Sequence, residues 1–433
     1  MTTQREIRGT PREGLMGATL GFFFGFAAVA LFGPTAKIFK EAMGLDARMV
    51  GLLVAMPALS GSLLRIPFAA WVDTTGGRKP FLALMFLSLF GMLGLTTLIA
   101  LRYPDNLTQS LYPLLLVLGL LCGCGIATFS VGISQVAYWH PQKKQGSALG
   151  FFGGAGNLAP GIFSFILPVA LASLGLKGSY LMWLVFLVIG TALYMKMGRN
   201  SWYFQYRAMG NDIEESRRLA RTHGQEFFPA GSSFDSLRIS ATIWKTWALV
   251  AIYFTTFGGF IALTAWFPTY WQERFETSVV LAGTLTAVFS LLASILRIPG
   301  GGVADRFGGE RTAVVSLTAM LLGATLLSFS ASMVMSICGV VLMGGGMGIA
   351  NAAVFKLVPQ EVPQAVGGAA GWVGGLGAFG GFAIPPVMGE FVSMKGSDGY
   401  ALGFVTFIAL AAFSIGIALL LAWRRRLSQQ VAP

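Results

Sequence analysis

Charge is nearly absent from long stretches of this chain. Apolar runs recur that exceed the roughly 20 residues a helix needs to cross a bilayer. Charged residues make up 11% of the 433 positions against 55% apolar, and they collect between the runs. A segment in hydrocarbon must satisfy its own backbone N–H and C=O groups, which leaves helices or a closed barrel. Barrel strands would be about 10 residues long and alternate in polarity, and these runs do neither. The expected fold class is an all-α integral membrane protein with twelve transmembrane helices. The spans are placed at 14–37, 47–71, 80–101, 111–138, 146–173, 178–198, 244–270, 279–303, 312–331, 333–357, 365–393 and 398–423.

The net charge of +12 raises the question of nucleic acid, and its distribution answers it. One set of loops holds only Lys37, Lys40, Arg48, Arg102, Lys177, Arg274 and Lys395, and Arg65 and Arg297 lie inside spans. All other Lys and Arg fall on the opposite face. That asymmetry is the positive-inside pattern and predicts cytoplasmic N- and C-termini. The expected location is the cytoplasmic (inner) membrane, with lipid and not nucleic acid as the surrounding partner. Residues 1–17 carry no short apolar core with a cleavage pattern, so no signal peptide is expected. Cys122, Cys124 and Cys338 fall within spans and read as packing residues, and no metal site is expected. His140 and His223 fall between spans and read as solvated.

The spans repeat. "GFAAVALFGPT" (Gly25–Thr35) in span 1 matches "GFIALTAWFPT" (Gly259–Thr269) in span 7. "SLLRIPFAAWVDTTGGRK" (Ser62–Lys79) at span 2 matches "SILRIPGGGVADRFGGER" (Ser294–Arg311) at span 8. "ALGFFGGAGN" (Ala148–Asn157) in span 5 matches "AAGWVGGLGA" (Ala369–Ala378) in span 11. Three pairs in the same order, six spans apart, predict two six-helix halves related by an axis along the membrane normal. The expected division is 1–198, a cytoplasmic linker at 199–243 with part of it a surface helix, and 244–433.

The repeat buries a cation twice. Arg65 lies eight residues before Asp73, and Arg297 eight before Asp305. At 1.5 Å per residue both stand about 12 Å from the loop, close to the bilayer midplane. A cation there costs at least ~2.5 kcal/mol. The usual remedy is a buried carboxylate, yet none of the 18 Asp and Glu falls at the middle of a span. Two unpaired guanidinium groups at equal depth, one per half, point to a bound anion. Their planar, paired donors suit a small planar oxyanion. Phe129, Phe257, Tyr253 and Asn157 reach the same depth. The glycines Gly150, Gly153, Gly154 and Gly156, with Gly371, Gly374, Gly375 and Gly377, lie inside apolar spans. A dinucleotide loop would need a preceding strand, so they read as helix-packing and sliding positions.

These motifs resemble the major facilitator superfamily across nearly the whole chain, including the loop motif "AAWVDTTGGRK" and "GGVADRFGGER". The first copy departs in carrying Ala69 where the second has Gly301. "LLRIP", "GIATFSVG", "GGAGNLAPG", "YFTTFGG", "ILRIPGG" and "GWVGGLGAFGGF" together resemble its nitrate/nitrite porter family. The resemblance implies a transporter of nitrate and nitrite, with Arg65 and Arg297 holding the anion and Phe129 and Phe257 sandwiching it. Tyr253 would be a neighbouring ring and Asn157 a polar contact. It also implies an inner-gate role for Asp73, Arg78, Asp305 and Arg306. Alternating access with nitrate/nitrite exchange is the expected mode, in a monomer without cofactor. Proton-coupled symport, with Lys356 and Asn351 as candidates for coupling, stays open. So do carriage of a small organic anion and nitrate sensing without transport. No catalytic residue is expected, because the spans hold no cluster of acid, base and nucleophile.

Overall fold

The structure is a computed structural model that describes residues 7–229 and 233–431. Residues 1–6, 230–232 and 432–433, expected in the two halves and the linker, lie outside it. The described chain contains helices and no strand. Eleven helical segments are long and apolar enough to cross a membrane. Pro11–Met43, Ala47–Thr75, Arg78–Arg102 and Gln109–Trp139 are spans 1 to 4. Ala148–Met197 is 50 residues long and breaks at Gly175, where φ is 63°. Glycine accepts that backbone without a Cβ penalty. The chain doubles back there: Gly156 meets Phe22 of span 1, while Gly190 meets Phe24 and Gly17 meets Met197. This segment therefore supplies spans 5 and 6, giving the expected twelve crossings. Trp244–Arg274, Val279–Phe307, Gly309–Ser328, Met333–Glu361, Val366–Leu402 and Val405–Arg425 are spans 7 to 12.

Several spans depart from ideal helix at the middle of the bundle. Span 1 tightens to a 3₁₀ turn at Ala27–Ala30 and span 4 at Cys124–Ala127. Span 7 widens to a π turn at Phe254–Gly258. Such turns often mark functional positions, because they re-aim neighbouring side chains.

The linker forms helices Trp202–Ala208, Ile213–Thr222 and Ser233–Ala241. Asp212 caps the second by accepting from the Glu215 N–H at 2.7 Å. Its exposed face pairs Arg217 with Glu214 and Arg218 with Glu215, and the Arg218 guanidinium holds the Glu215 carboxyl below its ordinary range. The third docks on span 11: the Gly368 N–H donates to Ser236 Oγ at 2.9 Å, and Trp372 Nε1 to the Leu237 carbonyl at 3.0 Å. Trp139, Trp202, Tyr203, Phe204 and Ala220 make a separate apolar cluster on the linker face. His140 corrects its solvated reading. It is buried, with Nδ1 3.0 Å from the Val136 carbonyl, because the linker covers the end of span 4.

Away from the linker the two sets of six spans close on each other, and small residues permit it. A Cβ on Gly33 would lie 2.5 Å from the Ala265 carbonyl, on Gly51 2.8 Å from that of Pro385, and on Gly283 2.3 Å from that of Ser164. Ion pairs decorate the same face. Lys40 Nζ lies 3.0 Å from Glu273, with Lys37 at 3.9 Å, and Arg48 grips Glu390 with two nitrogens. Pairs this exposed contribute about 0–1 kcal/mol each, so backbone packing does more than charge to hold this face shut. Glu390→Gln should therefore open it only modestly. A thiol placed by Ala47→Cys should react up to about fivefold faster with an impermeant maleimide, whereas an unchanged rate would exclude the Arg48–Glu390 pair from closure.

Candidate functional site

Span 2 is interrupted at Leu64, between helices Ala47–Leu63 and Arg65–Thr75. The break directly precedes Arg65, which is 1% exposed. Its Nε donates to the Gly61 carbonyl at 3.0 Å, and Nη1 reaches across to the Gly374 carbonyl of span 11 at 2.9 Å. Nη2 is buried and donates to no described residue. Arg297 on span 8 has one weak contact, Nη2 to the Tyr253 hydroxyl at 3.4 Å, and its buried Nη1 is likewise unclaimed. Neither guanidinium meets a carboxylate among the described residues.

Aromatic rings hold the two cations instead. Arg65 Cζ lies 4.9 Å from the Phe129 ring centroid and 5.2 Å from that of Phe257. Arg297 Cζ lies 5.5 Å from the same Phe257 ring and 5.7 Å from Phe355. Each such contact is worth roughly 0.5–2 kcal/mol. That offsets part of the burial cost and leaves donors free. Phe129 and Phe257 are roughly parallel, with centroids 6.1 Å apart, and Tyr253 stacks on Phe257 at 4.9 Å. The π turn carries Phe257 into this stack.

Asn157 is 2% exposed and its Oδ1 meets no partner. Its carbonyl accepts from Ser294 Oγ at 2.9 Å, which ties span 5 to span 8. The structure thus brings Arg65, Arg297, Phe129, Phe257 and Tyr253 together around one ring system, with Asn157 joined to Ser294, one helical turn before Arg297. A cavity of about 440 Å³ is lined by Phe129, Phe355 and Gly374, by Asp73 and Tyr138, and by Phe227, Phe228 and Leu237 of the linker.

Sequence reasoning missed Phe355. It lies edge-on to Tyr253, centroids 5.1 Å apart, as well as over Arg297. The available signal was its position one helical turn after Asn351. Phe26 was missed as well. It lies parallel to Phe257 at 6.3 Å and belongs to the i, i+4 pair Phe22 and Phe26.

The remaining expected residues divide by place. Lys356 Nζ sits 2.8 Å from Asp305 and 2.8 Å from the Ala304 carbonyl, so it ties span 10 to span 8 at the linker face, away from the arginines. Asn351 is buried with Oδ1 unpartnered. Asp73 accepts from the Tyr138 hydroxyl. Arg78 holds the end of span 6 through the Met195 carbonyl at 2.8 Å, and Arg306 lies over Phe307. A Cβ on Gly156 would stand 1.9 Å from Phe22, on Gly375 2.8 Å from Ile66, and on Gly377 2.7 Å from Tyr253; Gly154 and Gly371 have neighbours at 3.2 Å. Gly150, Gly153 and Gly374 depart from the packing expectation, since a Cβ there meets nothing within 4 Å. Gly374 lines the cavity and offers its carbonyl to Arg65.

Two packed sets of six helices around a central polar site, with a cavity reaching it from one face, have the build of a membrane carrier. The family model of the Major Facilitator Superfamily matches residues 18–385 and 277–430. The chain is 31% identical to a probable nitrate/nitrite antiporter of Thermus thermophilus, covering 92% of this chain and 88% of that one. It is 28% identical to a nitrite extrusion protein of Bacillus subtilis, covering 94% of each. Among solved structures, a partially occluded inward open conformation of the Escherichia coli xylose transporter superposes with TM-score 0.73 at 13% identity, over 98% of each chain. That likeness speaks to the fold alone. The chain belongs to the major facilitator superfamily and, within it, to the nitrate/nitrite porter family.

The glycine contacts separate two outcomes. Gly156→Val should cost about 1–3 kcal/mol through overpacking against buried Phe22, read as a lower melting temperature in detergent. Gly150→Ala should leave that temperature unchanged.

Proposed function

We propose that this protein carries nitrate and nitrite across the cytoplasmic membrane by alternating access, exchanging one for the other. The observation that carries the reading is a pair of buried arginines, one from each repeat. They share the face of Phe257, retain unclaimed N–H donors and lack any described carboxylate partner. Nitrate and nitrite are planar, delocalised and weakly hydrated. A ring-walled slot can stack on them while guanidinium groups donate in plane. Tetrahedral phosphate fits neither the stack nor the desolvation such a slot demands. The names of the Thermus and Bacillus relatives favour the same substrates.

The exchange mode follows from charge. Closing a dry bundle over two unneutralised cations is costly, and a bound anion lowers that cost, so the loaded carrier reorients more readily than the empty one. Gly374 gives this a physical route. Its carbonyl accepts from Arg65 across the two sets of spans, and an anion that takes over this donor releases span 11 from span 2. Lys356, engaged by Asp305, then has no direct part in the site. Residues 1–198 and 244–433 act as the two moving halves around the 199–243 linker. Both termini lie in the cytoplasm, and one chain holds one complete pathway and works as a monomer.

Reconstituted liposomes test this directly. Nitrate uptake should rise with nitrite trapped inside, should not require a pH gradient, and should resist excess phosphate. Uptake that needs an imposed proton gradient and ignores internal nitrite would favour symport. Arg65→Lys and Arg297→Lys should each lower uptake at least tenfold, about 1.4 kcal/mol or more, with normal membrane insertion. Loss of paired donor geometry is the cause, so wild-type uptake in either variant would remove that arginine from the site.

A further inference from the structure

A second cavity, of about 430 Å³, lies at the linker face, outside the central pathway. Arg12, Trp139, His140, Lys144, Trp202 and His223 line it together with backbone and apolar atoms, so both histidines of the chain face one space. No described carboxylate lines it. Glu13, beside Arg12, is turned back to accept from the Thr10 N–H in a capping box. Arg12 is exposed and has no ion-pair partner among the described residues.

Two features mark it as built to receive an anion. The long helix beginning at Gln142 opens here with Pro141 as its N-cap. It has no side-chain cap and no acid in its first turn. A helix start carries positive partial charge, and no acid in its first turn offsets it here. Independently, two buried side chains on the cavity wall keep polar atoms unclaimed. Trp202 is 8% exposed and its indole N–H donates to no described residue. His140 is 9% exposed. A carbonyl can only accept, so Nδ1 beside the Val136 oxygen carries the proton. Nε2 is left to accept from a ligand hydroxyl.

We infer that this cavity binds a phosphoryl oxyanion. The space is several times larger than nitrate requires, and its polar side chains come from different elements: Arg12 from the first span, His140 from the end of span 4 and Trp202 from the linker. That arrangement suits a tetrahedral group bearing a hydroxyl, in contrast to the flat central slot. Trp139 and Trp202, in T-shaped contact at 5.0 Å, are residues that settle at membrane–water interfaces. An acidic lipid headgroup with free hydroxyls and soluble hydrogen phosphate share the required chemistry. Occupancy would pin the first span and the fourth to the linker that lines the central cavity.

The test uses the purified full-length chain in a neutral detergent. Inorganic phosphate is titrated by calorimetry, and retention of phosphatidylglycerol is compared with phosphatidylcholine by native mass spectrometry. Wild type should bind one phosphoryl group per chain. Arg12→Gln and Trp202→Phe, which removes the indole N–H together with part of the ring, should together weaken binding at least tenfold while nitrate uptake persists. Saturable phosphate binding lost in the variants assigns a soluble ligand. Selective phosphatidylglycerol retention lost in them assigns a lipid, and either supports the site. Absence of both, or equal binding in wild type and variants, overturns it. Arg12 is exposed, so Arg12→Gln alone keeps the test decisive if the double variant folds poorly. The central arginines are untouched throughout, so this result stands apart from the identity of the transported ion.

Discussion

A cation held in hydrocarbon without a counter-charge is the constraint around which this molecule is arranged. Arg65 and Arg297 sit near mid-bundle, and each repeat contributes one. Protein groups satisfy them only in part: two carbonyls and two rings for Arg65, a long hydroxyl contact and two rings for Arg297. A buried carboxylate would have cancelled each charge and closed the site to solutes. Aromatic faces stabilise a cation while leaving its in-plane N–H donors for something else. On the proposed reading an entering anion supplies the remaining free energy, which would tie occupancy to movement.

The surrounding packing is asymmetric in a way that serves such a cycle. Away from the linker, glycines at positions 33, 51 and 283 let backbones of the two sets of spans touch, and exposed ion pairs add a small bias. Toward the linker, residues of both sets line the central cavity together with Phe227, Phe228 and Leu237. Beside the shared ring stack, two hydrogen bonds among the described residues cross between the sets at the middle: Arg65 to Gly374 and Ser294 to Asn157. Both involve atoms of the glycine-rich spans 5 and 11. A change at the guanidinium therefore reaches directly into helices whose neighbours at Gly150, Gly153 and Gly374 leave room.

Hydrophobic length fixes helix number and placement, so the twelve crossings and the repeat were legible from residues alone. A common level was legible too: 1.5 Å per residue puts Arg65, Arg297 and Phe129 at similar distances along their spans, and the structure gathers them around Phe257. Side-chain partners were less so. Phe355 and Phe26 enter the ring cluster from spans 10 and 1, and an isolated phenylalanine in an apolar span looks the same whether it faces lipid or a site. Lys356 has a snorkelling length that allows either the cavity or the loop, and only packing decides for Asp305. His140 looked solvated because the covering linker is remote in sequence.

Transport as proposed depends most heavily on the two arginines forming one site for one planar ion. Equilibrium binding to the purified protein tests that most directly. The expected isotherm has one nitrate per chain, displaced by nitrite but not by phosphate or sulfate, and is abolished when Arg65 and Arg297 are both replaced by glutamine in a protein that still folds. Undiminished nitrate binding in that doubly neutral protein would contradict it.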